Sequence, residues 1–211
     1  MSAANACIYV LAGTNGAGKT SVLGQFVRRT SADFVDPDAL TRELMASDPS
    51  LSLSDANSRA WSISRDALEK AVRNRSTYAF ETTLGGRTIT RLLERALDRG
   101  MEVRMLYVGL ASPELNIARV RARVAGGGHD IDESKIRERY NRSRENLLRL
   151  LPRLTELALY DNTEQVSEGQ LPSPILLVVT IEGEAVFIPD LSSVPDWAKP
   201  IVELALQNPA R

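Results

Sequence analysis

The chain has 211 residues, 43% of them hydrophobic and 25% charged, with a formal net charge of −1. That balance is ordinary for a globular domain with a real core; it supplies no bulk attraction for nucleic acid, and no run approaches the roughly 18 apolar residues of a membrane span. The bases are 4 Lys against 22 Arg, and the one cysteine, Cys7, has no intramolecular partner, which points to a reducing, cytoplasmic compartment.

In chain order, CIYVLAG (7–13) reads as a buried strand followed at once by a glycine loop, with no basic segment before it that would mark a signal peptide. A helix is predicted from Lys19 to about Arg29, a short strand at 33–36, and helices at 38–46 and 55–73. In the last of these, Ala60, Trp61, Ser64, Ala67, Leu68, Ala71 and Val72 share a face at helical spacing. STYAFETT (76–83) is a third strand, and Thr88–Arg99 an amphipathic helix stopped by Gly100. EVRMLYVGL (102–110) is apolar enough to be a central strand. Ser112-Pro113-Glu114 caps a helix to about Ala125, AGGGHD (125–130) breaks it, and 132–151 is a long Arg-rich helix. LALY (157–160) is a fifth strand, 175–188 a hairpin turning at Glu182-Gly183, and about 200–207 a final helix. This alternation predicts an α/β fold of the P-loop NTPase type: a three-layer sandwich on a mainly parallel sheet, with a C-terminal β-hairpin and final helix. One domain over 1–211 is expected, with a core at 7–165, a lid at about 119–140 and a C-terminal extension at 166–211.

Gly13, Gly18, Lys19 and Thr20 meet the pattern G-x-x-x-x-G-K-[ST], after a buried strand and before a helix, as a phosphate cradle requires. The cradle spans Gly13, Thr14, Asn15, Gly16, Ala17, Gly18, Lys19, Thr20 and Ser21. Its backbone N–H groups would converge on phosphate oxygens at a helix N-terminus. Lys19 would reach the β- and γ-phosphates of ATP or GTP, and the Thr20 hydroxyl would serve Mg²⁺.

Around the cradle, Asp36 suits a helix N-cap with Pro37 at the first helical position. Asp38 either favours the helix dipole or, at the carboxyl edge of the sheet, takes a proton from an attacking hydroxyl. Glu81 emerges at the same edge, beside Thr82 and Thr83, which are either strand formers or contacts to an acceptor. Arg119 and Arg123 share a helix face, Arg121 points elsewhere, and three glycines follow, which together describe a lid. His129 lies just past that hinge, and no second histidine or cysteine cluster suggests zinc.

The segments LAGTNGAGKT, DPD after the second strand, FETTL, ARVRARVAGGGHDIDESKIRERYNRSRENL and YDNT come in one order that resembles the zeta toxin family of P-loop kinases over roughly residues 7–165. The resemblance implies transfer of the γ-phosphate of ATP to the 3′-hydroxyl of the sugar in UDP-N-acetylglucosamine. It implies Asp38 as the base, Lys19 as the phosphate lysine, Glu81 as the acidic residue ending strand three, Arg119 or Arg123 as the lid arginine, and His129 in the lid block. An antitoxin protein, encoded by a neighbouring gene, is a partner the family admits; nucleic acid and membrane are not. Asp36 stands where short members often carry Asn, and Asp132 where they often carry Pro, so the acceptor is open. The alternatives are a kinase of another metabolite or nucleotide, and a nucleotide-gated binding protein without transfer.

Overall fold

The computed structural model describes residues 6–30, 34–127, 130–164, 173–188 and 190–207. Among them, β1 (Cys7–Ala12), β2 (Phe34–Val35), β3 (Tyr78–Thr82), β4 (Glu102–Gly109), β5 (Glu156–Asp161), β6 (Ile175–Ile181) and β7 (Glu184–Phe187) form one sheet in the order β2-β3-β1-β4-β5-β6-β7. The first five strands run parallel, whereas β6 and β7 are antiparallel additions at the edge. β1, β4 and β5 are nearly continuous apolar runs because helices cover both their faces.

The helices are α1 (Thr20–Arg29), α2 (Pro37–Ser47), α3 (Leu53–Asn74), α4 (Arg87–Asp98), α5 (Pro113–Ala125), α6 (Glu133–Leu150) and α7 (Lys199–Gln207). Asp36, Ser52, Ser112 and Asp132 cap α2, α3, α5 and α6, each side chain accepting from a backbone N–H of the first turn. Ile8 and Val10 of β1 pack with α3, α4, α6 and α7 on one side, where Leu68, Leu93, Leu147 and Ile201 lie buried. Leu11, Leu106 and Val108 pack with Val22 and Phe26 of α1 on the other. This is the α/β three-layer P-loop fold expected from the alternation. The chain moves from β1 to one side of it and returns through β4 on the other, so the switch point lies at the carboxyl end of β1, where open α/β sheets bind ligands.

One expected face is shifted. Ala56, Ala60, Ser64, Leu68, Ala71 and Val72 are the buried stripe of α3, while Ala67 is half-buried and Trp61 is 45% exposed. Trp61 sits 100° round from Ala60, at the border of the stripe. There α3 is tied to α2, where the Thr41 hydroxyl donates to Asn57 Oδ1 at 3.1 Å.

The residues after 172 complete the sheet. Glu182 and Gly183 have φ of 54° and 85°, a pair of left-handed residues that turns β6 into β7 with the twist a hairpin needs. Trp197 then lies on the carboxyl end of β4, its ring filling the space above Gly109. Burial pushes the Cys7 thiol up to about 11, which makes it an inert core residue. No helix among the described residues is long and apolar enough to cross a membrane. A Cβ at Gly109 would overlap the Trp197 ring, so Gly109→Ala is expected to destabilise the protein by about 1–3 kcal/mol through overpacking, read by chemical denaturation.

Candidate active site

The loop between β1 and α1 turns through Gly13, Gly16 and Gly18, whose φ values are 146°, 78° and 82°. Only glycine takes these conformations without strain. A Cβ at Gly16 would also press on the Asn116 carbonyl oxygen, and one at Gly18 on the Asn162 amide. Gly13, Thr14 and Ala17 are buried beneath the loop, and the Gly13 N–H donates to the Thr82 carbonyl at 3.2 Å. Asn15, Gly16, Gly18, Lys19 and Thr20 line the cleft above it, whereas Ser21 is exposed outside it. Among the described residues, the N–H groups of Gly16, Gly18 and Lys19 donate to no protein acceptor. They sit at the N-terminus of α1, so the loop offers what a phosphate group accepts.

Lys19 is buried, and its Nζ donates to the Gly13 carbonyl at 2.9 Å while pairing with Glu81 Oε1 at 3.2 Å. Glu81 has its pKa raised by burial, opposed by the Lys19 charge and helped by the nearby charges of Asp36 and Asp38. Asp36 is the cap of α2: its Oδ1 accepts from the Asp38 N–H at 2.9 Å. That leaves the Asp38 carboxylate on the cleft, with no hydrogen bond to it among the described residues. Thr82 and Thr83 also line the cleft, and their hydroxyl oxygens accept from Leu84 N (3.0 Å) and Gly85 N (3.4 Å).

α5 and α6, which cover most of the segment expected as a lid, pack on each other through a small core of their own made by Ile117, Val120 and Ile136. Arg119 and Arg123 face the cleft; Arg121 instead pairs with Glu133 across the hairpin. The Arg119 guanidinium donates to the Glu164 carbonyl at 3.2 Å. His129 lies outside the described residues. The cleft enclosed by the loop, α2, α3, α5 and α6 has a volume of about 1650 Å³, more than one small ligand occupies.

Three groups were not singled out in the sequence. Arg139 donates to Asn15 Oδ1 at 2.8 Å, so α6 also brings an arginine to the loop. Its signal was the helical spacing: Arg139 is four residues before Ser143, on the border of the buried stripe Ile136-Tyr140-Ser143-Leu147. Asn116 and Asn162 hold the loop from opposite sides. Asn116 Nδ2 donates to Thr14 Oγ1 (2.9 Å) and the Asn15 carbonyl (2.6 Å), and Asn162 Nδ2 to the Ala17 carbonyl (2.9 Å). Trp197 braces this second clamp, donating from Nε1 to Asp161 Oδ1 at 2.9 Å.

A family model described as an AAA domain matches residues 8–147. The chain belongs to this family. A relative by sequence is an uncharacterized protein of Haemophilus influenzae, 32% identical over 128 residues that cover 61% of this chain and 88% of that protein. Among solved structures, a chain of the AvrRxo1-ORF1:AvrRxo1-ORF2 complex with sulphate ions aligns with a TM-score of 0.65 at 16% identity, over 98% of this chain and 65% of that one. The complex with ATP aligns with a TM-score of 0.64 at 16% identity, again over 98% and 65%. This chain therefore spans just under two thirds of the AvrRxo1 chain's length, 65%. The PezAT chromosomal toxin-antitoxin system of Streptococcus pneumoniae aligns with a TM-score of 0.53 at 18% identity, over 76% of this chain and 69% of that one. These likenesses are of fold alone: an α/β P-loop domain, as the sheet and loop described above already form.

Two outcomes follow from the geometry. Asn162→Ala leaves the buried Ala17 carbonyl without its donor, which is expected to cost about 1–3 kcal/mol of stability and to weaken ATP binding roughly tenfold, measured by denaturation and calorimetry. Glu81 has a folded pKa above its unfolded one, so its contribution to stability is full below the ordinary glutamate value of about 4.3 and is lost as pH rises through the folded value. Glu81→Gln is therefore expected to raise the melting temperature at pH 7, with the gain vanishing near pH 4.

Proposed function

We propose that the chain is an ATP-dependent kinase that transfers the γ-phosphate to a hydroxyl of a small molecule. The observation that carries this reading is one cleft in which a phosphate cradle, its lysine and an uncommitted carboxylate, Asp38, lie together at the sheet edge. A protein that only binds nucleotide needs no such carboxylate. The resemblance to zeta toxins makes UDP-N-acetylglucosamine the first acceptor to test, by analogy rather than from the site itself.

In this mechanism Lys19 turns from the Gly13 carbonyl and Glu81 to the β- and γ-phosphates. Asp38 orients the acceptor hydroxyl and receives its proton as the oxygen attacks the γ-phosphorus. The bond from that phosphorus to the bridging oxygen breaks, and ADP leaves. Arg119 and Arg123, together with Arg139, hold the charge that spreads over the transferring oxygens. The Thr20 hydroxyl, exposed at the start of α1, fits Mg²⁺, because that ion keeps most of its waters and takes few protein ligands; when bound it would neutralise phosphate charge. Among the described residues no three acidic, histidine or cysteine side chains gather into a metal cage, so Thr20 and the phosphates would be its main anchors. Glu81, Thr82 and Thr83 are the candidates to contact the acceptor, with His129 from the lid.

A protein partner belongs to the same reading. PezAT is a toxin-antitoxin system and AvrRxo1-ORF1 was solved with AvrRxo1-ORF2, so an antitoxin is the partner class to look for. A cytoplasmic location follows from substrates of this kind.

Asp38→Asn separates binding from chemistry. ATP affinity by calorimetry is expected to stay within a few-fold, while single-turnover transfer to a panel of UDP-sugars, read by mass spectrometry, falls about 10²–10⁴-fold. Asp36→Asn is expected to be near wild type, since asparagine caps a helix as well as aspartate does. Loss of transfer in Asp36→Asn with full activity in Asp38→Asn would transfer the role of base to Asp36.

A further inference from the structure

The cleft has a second wall, on α2 and α3, of which the phosphate chemistry uses only Asp38. α2 and α3 are locked together by the Thr41–Asn57 hydrogen bond at 3.1 Å, and their cleft faces carry Asp38, Arg42, Asn57, Trp61 and Arg65. Asp38 and Arg42 are four residues apart on α2, hence on one face and about 6 Å apart along its axis. Across from them stands Trp61, a tryptophan left 45% exposed inside a cleft. Its ring is not loose: the Arg65 guanidinium carbon lies 5.1 Å from the ring centroid, and Arg65 is held there by Asp66 Oδ1 at 2.8 and 2.6 Å. Arg42 is exposed and makes no ion pair among the described residues. Next to Trp61's turn, Ser64 lines the same cleft, is only 6% exposed, and its hydroxyl has no hydrogen-bond partner among the described residues. A buried hydroxyl without a partner is rare in a protein.

We propose that Trp61 and Arg65 form the recognition shelf for the acceptor. The face of a ring rests on Trp61, an anionic group on that ring's substituent lies between Arg65 and Arg42, and the free hydroxyl at the other end reaches Asp38. The ligand class is a ring compound that carries phosphate and a free hydroxyl. Naming this ligand the acceptor rests on the kinase reading; the shelf itself rests on the geometry. ATP does not compete for it, because the α1 N-terminus and Lys19 fix its phosphates on the lid side, where Arg119, Arg123 and Arg139 stand.

The test uses the full chain with the P-loop saturated by AMP-PNP, so that other phosphates cannot occupy it. Uridine diphosphate, uridine and glucose 1-phosphate are titrated by calorimetry into the wild type and into Trp61→Ala, Trp61→Phe and Arg65→Ala. Trp61→Ala is expected to weaken uridine diphosphate at least tenfold, the usual worth of a stacked ring, and Trp61→Phe to restore most of it. Arg65→Ala is expected to weaken the two phosphorylated probes markedly more than uridine, which loses only the bracing of the Trp61 ring. AMP-PNP affinity is expected to be the same in all four proteins. Unchanged affinities for all three probes in Trp61→Ala overturn the shelf, as does an equal loss for AMP-PNP, which would make Trp61 a general structural residue. The binding assay needs no transfer. A shelf that binds these probes in a protein without turnover leaves this inference standing and removes the kinase reading. Turnover of an acceptor with an unaltered KM in Trp61→Ala does the reverse.

Discussion

Everything at this site depends on a backbone loop held open by two asparagines. Asn116 on α5 grips Thr14 and Asn15, and Asn162 at the end of β5 grips Ala17. The three left-handed glycines give the loop its path, but they also make it the most entropically expensive stretch of the site to order. Side-chain amides on both flanks remove that freedom. The N–H groups of Gly16, Gly18 and Lys19, residues that line the cleft, have no acceptor among the described residues. Preorganised donors of this kind stabilise charge without reorganising at the moment of reaction.

The same logic extends outward. The segment RERYNRSRENL resembles a family motif, and its polar residues prove to be fasteners between α6 and the strand ends. Tyr140 donates to the Leu110 and Ala111 carbonyls, Ser143 to the Thr83 carbonyl, and Asn146 to the Leu84 carbonyl. Leu84, buried with φ of 54°, is held in a left-handed turn that a leucine would otherwise avoid. That turn sets where Thr82, Thr83 and the start of α4 meet the cleft. Arg139, near the start of the same segment, donates to Asn15 of the loop and packs over Gly85, so one helix both fastens the end of β3 and reaches the glycine loop.

The C-terminal part of the chain acts on the site at one remove. β6 extends the sheet beside β5, and Trp197 covers Gly109 and donates to Asp161. Asp161 also accepts from the Thr163 hydroxyl, whose oxygen accepts from the Ala111 N–H. A short chain of bonds therefore runs from Trp197 to the residue beside Asn162, and so to the loop. These bonds are part-buried or exposed, so the chain braces the position of Asn162 without forming a closed buried network.

The sequence alone determined the elements and the loop. Strand and helix periods are local properties, set by side-chain alternation and by caps such as Asp36, Ser112 and Gly100, so their order and nearly their boundaries could be read directly. The glycine pattern of residues 13–20 needs only a strand before it and a helix after it, and both are local too. What the tertiary structure decided was proximity. Which arginine of α6 meets Asn15, which asparagines reach the loop from 101 and 145 residues away, and that Trp61 faces the cleft all depend on how separate helices pack. A helical wheel placed Trp61 within its buried stripe because one residue is a step of 100°, and the partner that decides which border stays open is another helix. Distances across the fold follow from the sheet order, and no local pattern encodes them.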